Sequence, residues 1–192
     1  MRKITKKAVS LMLVVLVTVQ MTVPVNAAPK KSAKSSATAF AMPGYIPLGS
    51  LPSYSRIKKK ATANEMELAY YVAGSLMLPL QSMTREQQIV AVYQILRDMV
   101  DSGLITYAIG YPHYNDPYGY FVSGVASCAG STRATIMCLE MLGFQGVEHV
   151  HPEQYCHQWV RVPMADGSVW ICDPFGMYVG PEPAPYVHPY AQ

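Results

Sequence analysis

The chain has 192 residues, with 15 Lys+Arg against 12 Asp+Glu, a formal charge of +3, 4 cysteines and a hydrophobic fraction of 51%. That length accommodates one domain with tails. Eleven basic residues lie at or before Lys60 and all twelve acidic ones at or after Glu65, so the part from Ala61 onward carries −8 with no lysine, which excludes a nucleic-acid-binding domain.

Arg2, Lys3, Lys6 and Lys7 precede an apolar stretch from Ala8 to Val25, and Val25-Asn26-Ala27 has the small-residue form of a cleavage site. Residues 1–27 therefore read as a secretory signal peptide. An uncleaved anchor is the rival reading, weakened by Thr18, Gln20, Thr22 and Pro24 within the span. No cysteine follows the run, which argues against a lipid anchor. The expectation is an extracytoplasmic protein, secreted or associated with the cell envelope, without stable membrane insertion once the signal is removed.

Residues 28–60 are rich in Lys, Ser, Ala, Pro and Gly and read as a flexible basic leader. Its closing Lys58-Lys59-Lys60 reads as a solvated tail, with contact to an anionic envelope polymer as the alternative. The remainder, 61–192, is the expected folded domain with a Pro/Tyr-rich C-terminal extension.

Thr62-Ala63-Asn64-Glu65 has capping-box form and opens a helix with Met66, Tyr70, Ala73 and Met77 on one face, ending before Pro79. Thr84-Arg85-Glu86-Gln87 repeats the device ahead of Ile89, Tyr93, Leu96 and Val100, with Gly103 as the stop. Leu104 to Ile109 predicts a short strand, and Gly110 to Gly124, crowded with Tyr, Pro, Gly and Asn, a long surface loop. A third helix runs from Cys128 to Leu142 with Ser127 as N-cap and Gly143 as stop. Strands follow at Val147–His151, Tyr155–Val162 and Ser168–Cys172, the last two joined at Asp166-Gly167. Pro174 to Gln192 reads as an extended or loose segment. Helices first and antiparallel strands second make an α+β domain.

Four cysteines in a secreted chain invite disulfides. Cys128 and Cys138 fall on different faces of one predicted helix; Cys156 and Cys172 fall on neighbouring strands. The alternative is a nucleophile. A thiol of ordinary pKa about 8.5 is mostly protonated at neutral pH, and a helix N-terminus or a nearby imidazolium favours the thiolate. Cys128 has the predicted helix terminus, and Ala129, Gly130 and Ser131 leave room for an acyl group and an oxyanion.

His157 opens one strand and Asp173 closes its neighbour, so the carboxylate can orient the imidazole. Register tests this pairing. A two-residue Asp166-Gly167 loop would put the two on opposite faces, so cooperation requires a connection with an odd number of residues, Gly167 accommodating a bulge. That register leaves Cys156 and Cys172 diagonal, about 7 Å apart, where a disulfide needs about 3.8 Å.

Four segments, Gly-Val-Ala-Ser-Cys-Ala-Gly-Ser-Thr-Arg-Ala ending at Ala134, Leu-Glu-Met-Leu-Gly-Phe at Leu139, His-Gln-Trp-Val-Arg-Val at His157 and Ile-Cys-Asp-Pro-Phe at Ile171, occur in an order that resembles the transglutaminase-like superfamily of cysteine enzymes. The resemblance covers Thr62 to Phe175. It implies a transglutaminase-like/papain-like fold in a secreted bacterial member, with Cys128 as nucleophile, His157 as general base and acid, and Asp173 as orienting carboxylate. Trp159 maps to the family tryptophan, beneath the site or against substrate. Gly124-Val125-Ala126-Ser127 departs from the family approach to the cysteine by two extra positions. The side chain completing the oxyanion hole is unassigned, with Tyr107, Tyr118 and Tyr120 as candidates.

The implied activity is amide or peptide hydrolysis through an acyl-thioester on Cys128, on a protein or peptide substrate such as a cell-envelope peptide, by a monomer without cofactor or metal. Acyl transfer from Gln to Lys is the runner-up, and a catalytically silent envelope-binding domain the third reading. A zinc reading would use His149, His151, Cys156 and His157, but no Cys-x-x-Cys pair exists. No clustered carboxylates match the calcium sites of animal transglutaminases. His113 and His188 call for no special role.

Overall fold

The computed structural model describes residues 41–152 and 156–183. The proposed signal peptide, residues 28–40 of the leader, Tyr155 and the stretch from 184 onward, His188 included, lie outside them.

The segment 41–60, expected as the end of a flexible leader, instead belongs to the domain. Its apolar residues are too sparse for a period, yet Tyr45, Leu48, Leu51 and Ile57 are all buried. Polar contacts fix it as well: Tyr45 Oη donates to Gly74 O at 2.7 Å, Tyr70 Oη to Ile46 O at 2.7 Å, and Ile46 N to Met141 O at 3.0 Å. A 3₁₀ turn at Leu48–Ser50 leads into a short helix, α1, at Tyr54–Lys58.

Helix α2, Ala63–Met77, and helix α3, Arg85–Asp101, both begin with the capping boxes read from the sequence, Thr62 with Glu65 and Thr84 with Gln87. The buried face of α2 includes Met66, Tyr70, Ala73 and Met77. On α3 the innermost apolar residues are Ile89, Val92 and Leu96, with Tyr93 and Val100 only flanking the core.

The predicted strand at 104–109 shrinks to β1, Thr106–Tyr107, paired in parallel with β2, Val125–Ala126. Between them, the expected surface loop is half helix: a π-helical turn spans Gly119–Ser123 and buries Gly119, Tyr120 and Phe121. Asp116 Oδ1 accepts from Gly119 N at 3.1 Å, so Asp116-Pro117 acts as a helix start. Lack of a long apolar period concealed it.

Helix α4, Cys128–Met141, is the centre of the domain, with every residue from Ala129 to Met141 buried. Helices α1, α2 and α3 and the sheet strands that follow all pack on it. That sheet is antiparallel in the order β3 (Glu148–Val150), β4 (Trp159–Pro163), β5 (Val169–Asp173), β6 (Tyr178–Pro181). Strand β6 occupies part of the expected C-terminal extension, completing an α+β architecture.

The β4–β5 hairpin pairs Val160 with Cys172 and Pro163 with Val169. Met164 N donates to Ser168 O at 2.9 Å, leaving 165–167 as the loop, an odd connection. Gly167 takes φ +86°, the left-handed conformation such a bulged turn demands. One step further along this register, Trp159 faces Asp173 and His157 lies diagonally beside it. Cys156, four residues from the partner of Cys172, is exposed while Cys172 is buried, and all four cysteines are free thiols.

Candidate active site

Helix α4 starts at Cys128, so the thiol stands at the end where unpaired amides and the helix dipole favour negative charge. Ser127 precedes it in extended conformation but supplies no side-chain cap; its hydroxyl donates to Tyr114 O at 3.3 Å, and its N–H to the same oxygen at 2.7 Å. The 113–116 loop is thereby clamped against the first turn of α4. Gly130 makes the fit possible, because a Cβ there would stand 2.5 Å from Tyr114 O.

His157 and Asp173 are each 2% exposed, and His157 Nε2 meets Asp173 Oδ2 at 2.8 Å. The other carboxylate oxygen accepts from Gly176 N at 2.8 Å, within the turn that follows β5. Cys128 stands near enough to this imidazole to favour its charged form. The half-buried Cys128 thus stands within electrostatic reach of a buried imidazole that is bonded directly to a buried carboxylate.

Electrostatics act on the ring in both directions. Burial, the largest effect, disfavours the imidazolium, but the hydrogen bonds to Asp173 and Cys128 and the charges of both together outweigh it, holding His157 at about 9. The other thiols contrast with this setting: burial pushes the Cys138 and Cys172 thiols far up.

Trp159 stacks on the His157 ring, with centroids 6.2 Å apart and planes 21° from parallel. Of the tyrosine candidates for an oxyanion side chain, Tyr120 is fully buried and its hydroxyl donates to Leu96 O at 2.7 Å. It is a core residue closed to substrate, a correction to the expected surface loop. Tyr118 is partly exposed and packs edge-on against His113 at 4.9 Å. Tyr107 is 62% exposed and rests on Phe175, whose ring lies two residues beyond Asp173.

Sequence reasoning passed over the residues that brace the site. His113, adopting φ +63°, sits between Glu65 Oε1 at 3.6 Å and the buried Asp116 Oδ2 at 3.0 Å. Arg133 Nη1 donates to Asn115 O at 3.0 Å and Ala129 O at 3.1 Å, tying the same loop to α4. The Asp-Pro dipeptide at 116 was the available signal for the first; nothing local marks the second.

His149 Nε2 lies 2.7 Å from Gln158 Oε1, and burial, reinforced by the charges of Arg133, Arg56 and His151, lowers it to about 4 despite that bond. Among the described residues no group of three or more His, Cys, Asp or Glu side chains could hold a metal ion. A cleft of about 470 Å³ between Arg85, Phe144 and the Met164–Asp166 turn contains none of the three chained residues, so it is separate from this chemistry. Comparison of the chain with protein-family models, curated proteins and solved structures finds no match.

Proposed function

We propose that the protein is a cysteine-dependent amide or peptide hydrolase, with Cys128 as nucleophile, His157 as general acid and base and Asp173 as the carboxylate that orients the ring. The observation that carries this reading is the buried His157–Asp173 pair within electrostatic reach of a thiol at a helix N-terminus. Three separate parts of the chain, α4, the segment leading into β4 and the end of β5, supply the three groups, an arrangement that a purely structural role does not require. The order of motifs, resembling the transglutaminase-like superfamily, supports the same reading and a transglutaminase-like fold.

In the first step the Cys128 sulfur attacks the substrate carbonyl carbon, and the carbonyl oxygen becomes an oxyanion beside the first-turn amides of α4. The C–N bond then breaks as the His157 imidazolium passes its proton to the departing amine, leaving an acyl-thioester. Acylation removes the sulfur's charge, one of the effects that hold His157 at about 9, so the neutral ring, the form that can accept a proton, is favoured at that moment. It takes a proton from water, hydroxide equivalent adds to the thioester, and the C–S bond breaks to give the acid and the free thiol. Proton donors and acceptors balance within the pair throughout.

The proposal includes extracytoplasmic location, from the N-terminal 27 residues, and a protein or peptide substrate. Incubation of the purified chain with a glutamine peptide, with and without a primary amine, tests the reaction. Free acid and ammonia in both conditions support hydrolysis, an amine adduct supports acyl transfer, and no product together with slow, His157-independent labelling of Cys128 by iodoacetamide refutes an activated thiol.

A further inference from the structure

From Ser102 to Asn115 the chain contains no Asp, Glu, Lys or Arg, a neutral run within an acidic domain. Ile105 is buried and anchors its start, but Tyr107, Ile109 and Tyr111 are 62%, 68% and 64% exposed. Single exposed apolar residues are ordinary, whereas a cluster of three large ones over so short a stretch marks a surface that meets something.

Backbone hydrogen bonds fix where this stretch lies. Ala108 N donates to Ala126 O at 3.0 Å, and Ser127 N donates to Tyr114 O at 2.7 Å. The loop that carries Ile109 and Tyr111 therefore leaves from one, and returns to the other, of the two residues that precede Cys128. Ala126 and Cys128 are two residues apart, about 7 Å of extended chain. On its other side the stretch reaches the carboxylate's turn, since the Tyr107 ring rests on Phe175 with centroids 5.8 Å apart, two residues beyond Asp173. The neutral loop thus runs between the approach to the thiol and the turn that follows the carboxylate.

That turn holds an exposed apolar residue of its own. Met177 is 58% exposed and takes φ +58°, a left-handed conformation that strains every residue with a Cβ. A strained and exposed side chain adds little to the fold, and such strain points to a contact made outside it. We propose that Tyr107, Ile109, Tyr111 and Met177 form the substrate-recognition surface of the site, which takes an uncharged peptide with a large apolar or aromatic side chain close to the carbonyl under attack. The loop offers a ligand no Asp, Glu, Lys or Arg side chain, so apolar area is what it presents. The inference rests on Cys128 being the nucleophile and names the side chain that its substrate carries.

Two neutral alkylating peptides test it on the full chain, acetyl-Phe-Gly chloromethyl ketone and acetyl-Ala-Gly chloromethyl ketone. In both, the sulfur forms the S–CH₂ bond and chloride leaves, so only the side chain differs. The rate ratio of the first to the second at Cys128, divided by the same ratio for N-acetylcysteine, is expected to be about 10. The ratio cancels the intrinsic reactivity of the thiol. It falls toward unity in the Ile109→Ser/Tyr111→Ser double variant, whose changes lie at exposed positions, and stays where it was in Leu68→Ser, an equally exposed apolar position on α2. A normalised ratio at or below unity, one that the double variant does not change, or an equal fall in Leu68→Ser overturns the surface. Met177→Gly separates recognition from folding: relief of the left-handed backbone raises the urea midpoint while the ratio falls, and a raised midpoint with an unchanged ratio overturns the part given to Met177.

Fast, His157-dependent labelling by iodoacetamide with a ratio of unity keeps the nucleophile and removes the surface. Slow labelling by every reagent, with a ratio above unity that the double variant abolishes, keeps the surface and removes the activated thiol. A concentration-dependent dimer in sedimentation velocity that the double variant abolishes assigns the surface to a second copy of the chain and overturns the proposal.

Discussion

Replacing Asp173 with asparagine keeps the size of the side chain and one acceptor for His157 Nε2, while removing a charge held 2.8 Å away. Burial by itself would hold the imidazole below its ordinary value of 6.5, and the Asp173 and Cys128 contacts lift it instead to about 9. Without the carboxylate charge the balance moves back toward burial. A return of the ring to its ordinary 6.5 would drop the imidazolium population at pH 7.5 from about 97% to about 10%, and with it the state that pairs with a thiolate. Alkylation of Cys128 by iodoacetamide in D173N is expected to slow about tenfold at that pH, measured by peptide mass mapping over a pH series. The curves for the two proteins should converge above about pH 9, where an ordinary thiol ionises unaided. Stability follows the same linkage. A histidine raised in the folded state contributes stability that is complete below about 6.5 and lost as pH rises through about 9, on the order of 3 kcal/mol at most. The wild-type Tm should fall over that interval, and the Tm of the variant should fall less. A D173N rate within about twofold of wild type from pH 6 to 9 would falsify the claim that this carboxylate sets the charge on His157.

Other substitutions test the surroundings. Gly130→Ala puts a methyl group 2.5 Å from the Tyr114 carbonyl oxygen, so the clamped loop must shift; a loss of about 1–3 kcal/mol in urea unfolding and slower Cys128 labelling are expected together. Tyr120→Phe removes only the bond to Leu96 O, so it should cost about 1 kcal/mol and leave turnover of a reporter peptide intact; loss of turnover with native stability would return Tyr120 to the oxyanion site. Leu48→Ala, at a residue 1% exposed, is expected to destabilise by about 2–5 kcal/mol, and an unchanged urea midpoint would mean that residues 41–60 are indeed a dispensable leader.

How much of this was readable from the chain depended on whether the signal was local. The capping boxes at Thr62 and Thr84 were visible because capping links residues three apart. So was the start of α4 at Cys128, between a plausible cap and a helical period. The parity of the β4–β5 loop was visible as a condition, since His157 and Asp173 could meet only across an odd connection, and the hairpin has one. The π-helical turn at Gly119–Ser123 escaped because five residues are too few for periodicity to register and glycine and tyrosine normally mark loops.

The N-terminal segment shows the same division. Sparse apolar residues and a run of lysines read as a solvated tail, because composition records how much hydrophobic surface a segment has and not whether a groove elsewhere can cover it. Burial of Tyr45, Leu48, Leu51 and Ile57 against α2 and α4 is a long-range event. It changes the meaning of the charge pattern as well, since the split between basic and acidic halves is a property of the sequence, whereas the docking of α1 on α4 through Ile57 and the Ser53–Glu140 bond is not. The sequence by itself determined which residues were available for chemistry, their types and their order along the chain. Only the tertiary structure decided that His157 pairs with Asp173 beside Cys128, that Tyr120 is sealed in the core and that Arg133 is buried with its Nε unpartnered, because distance in space, access of water and hydrogen bonding all arise from packing between segments far apart in the chain.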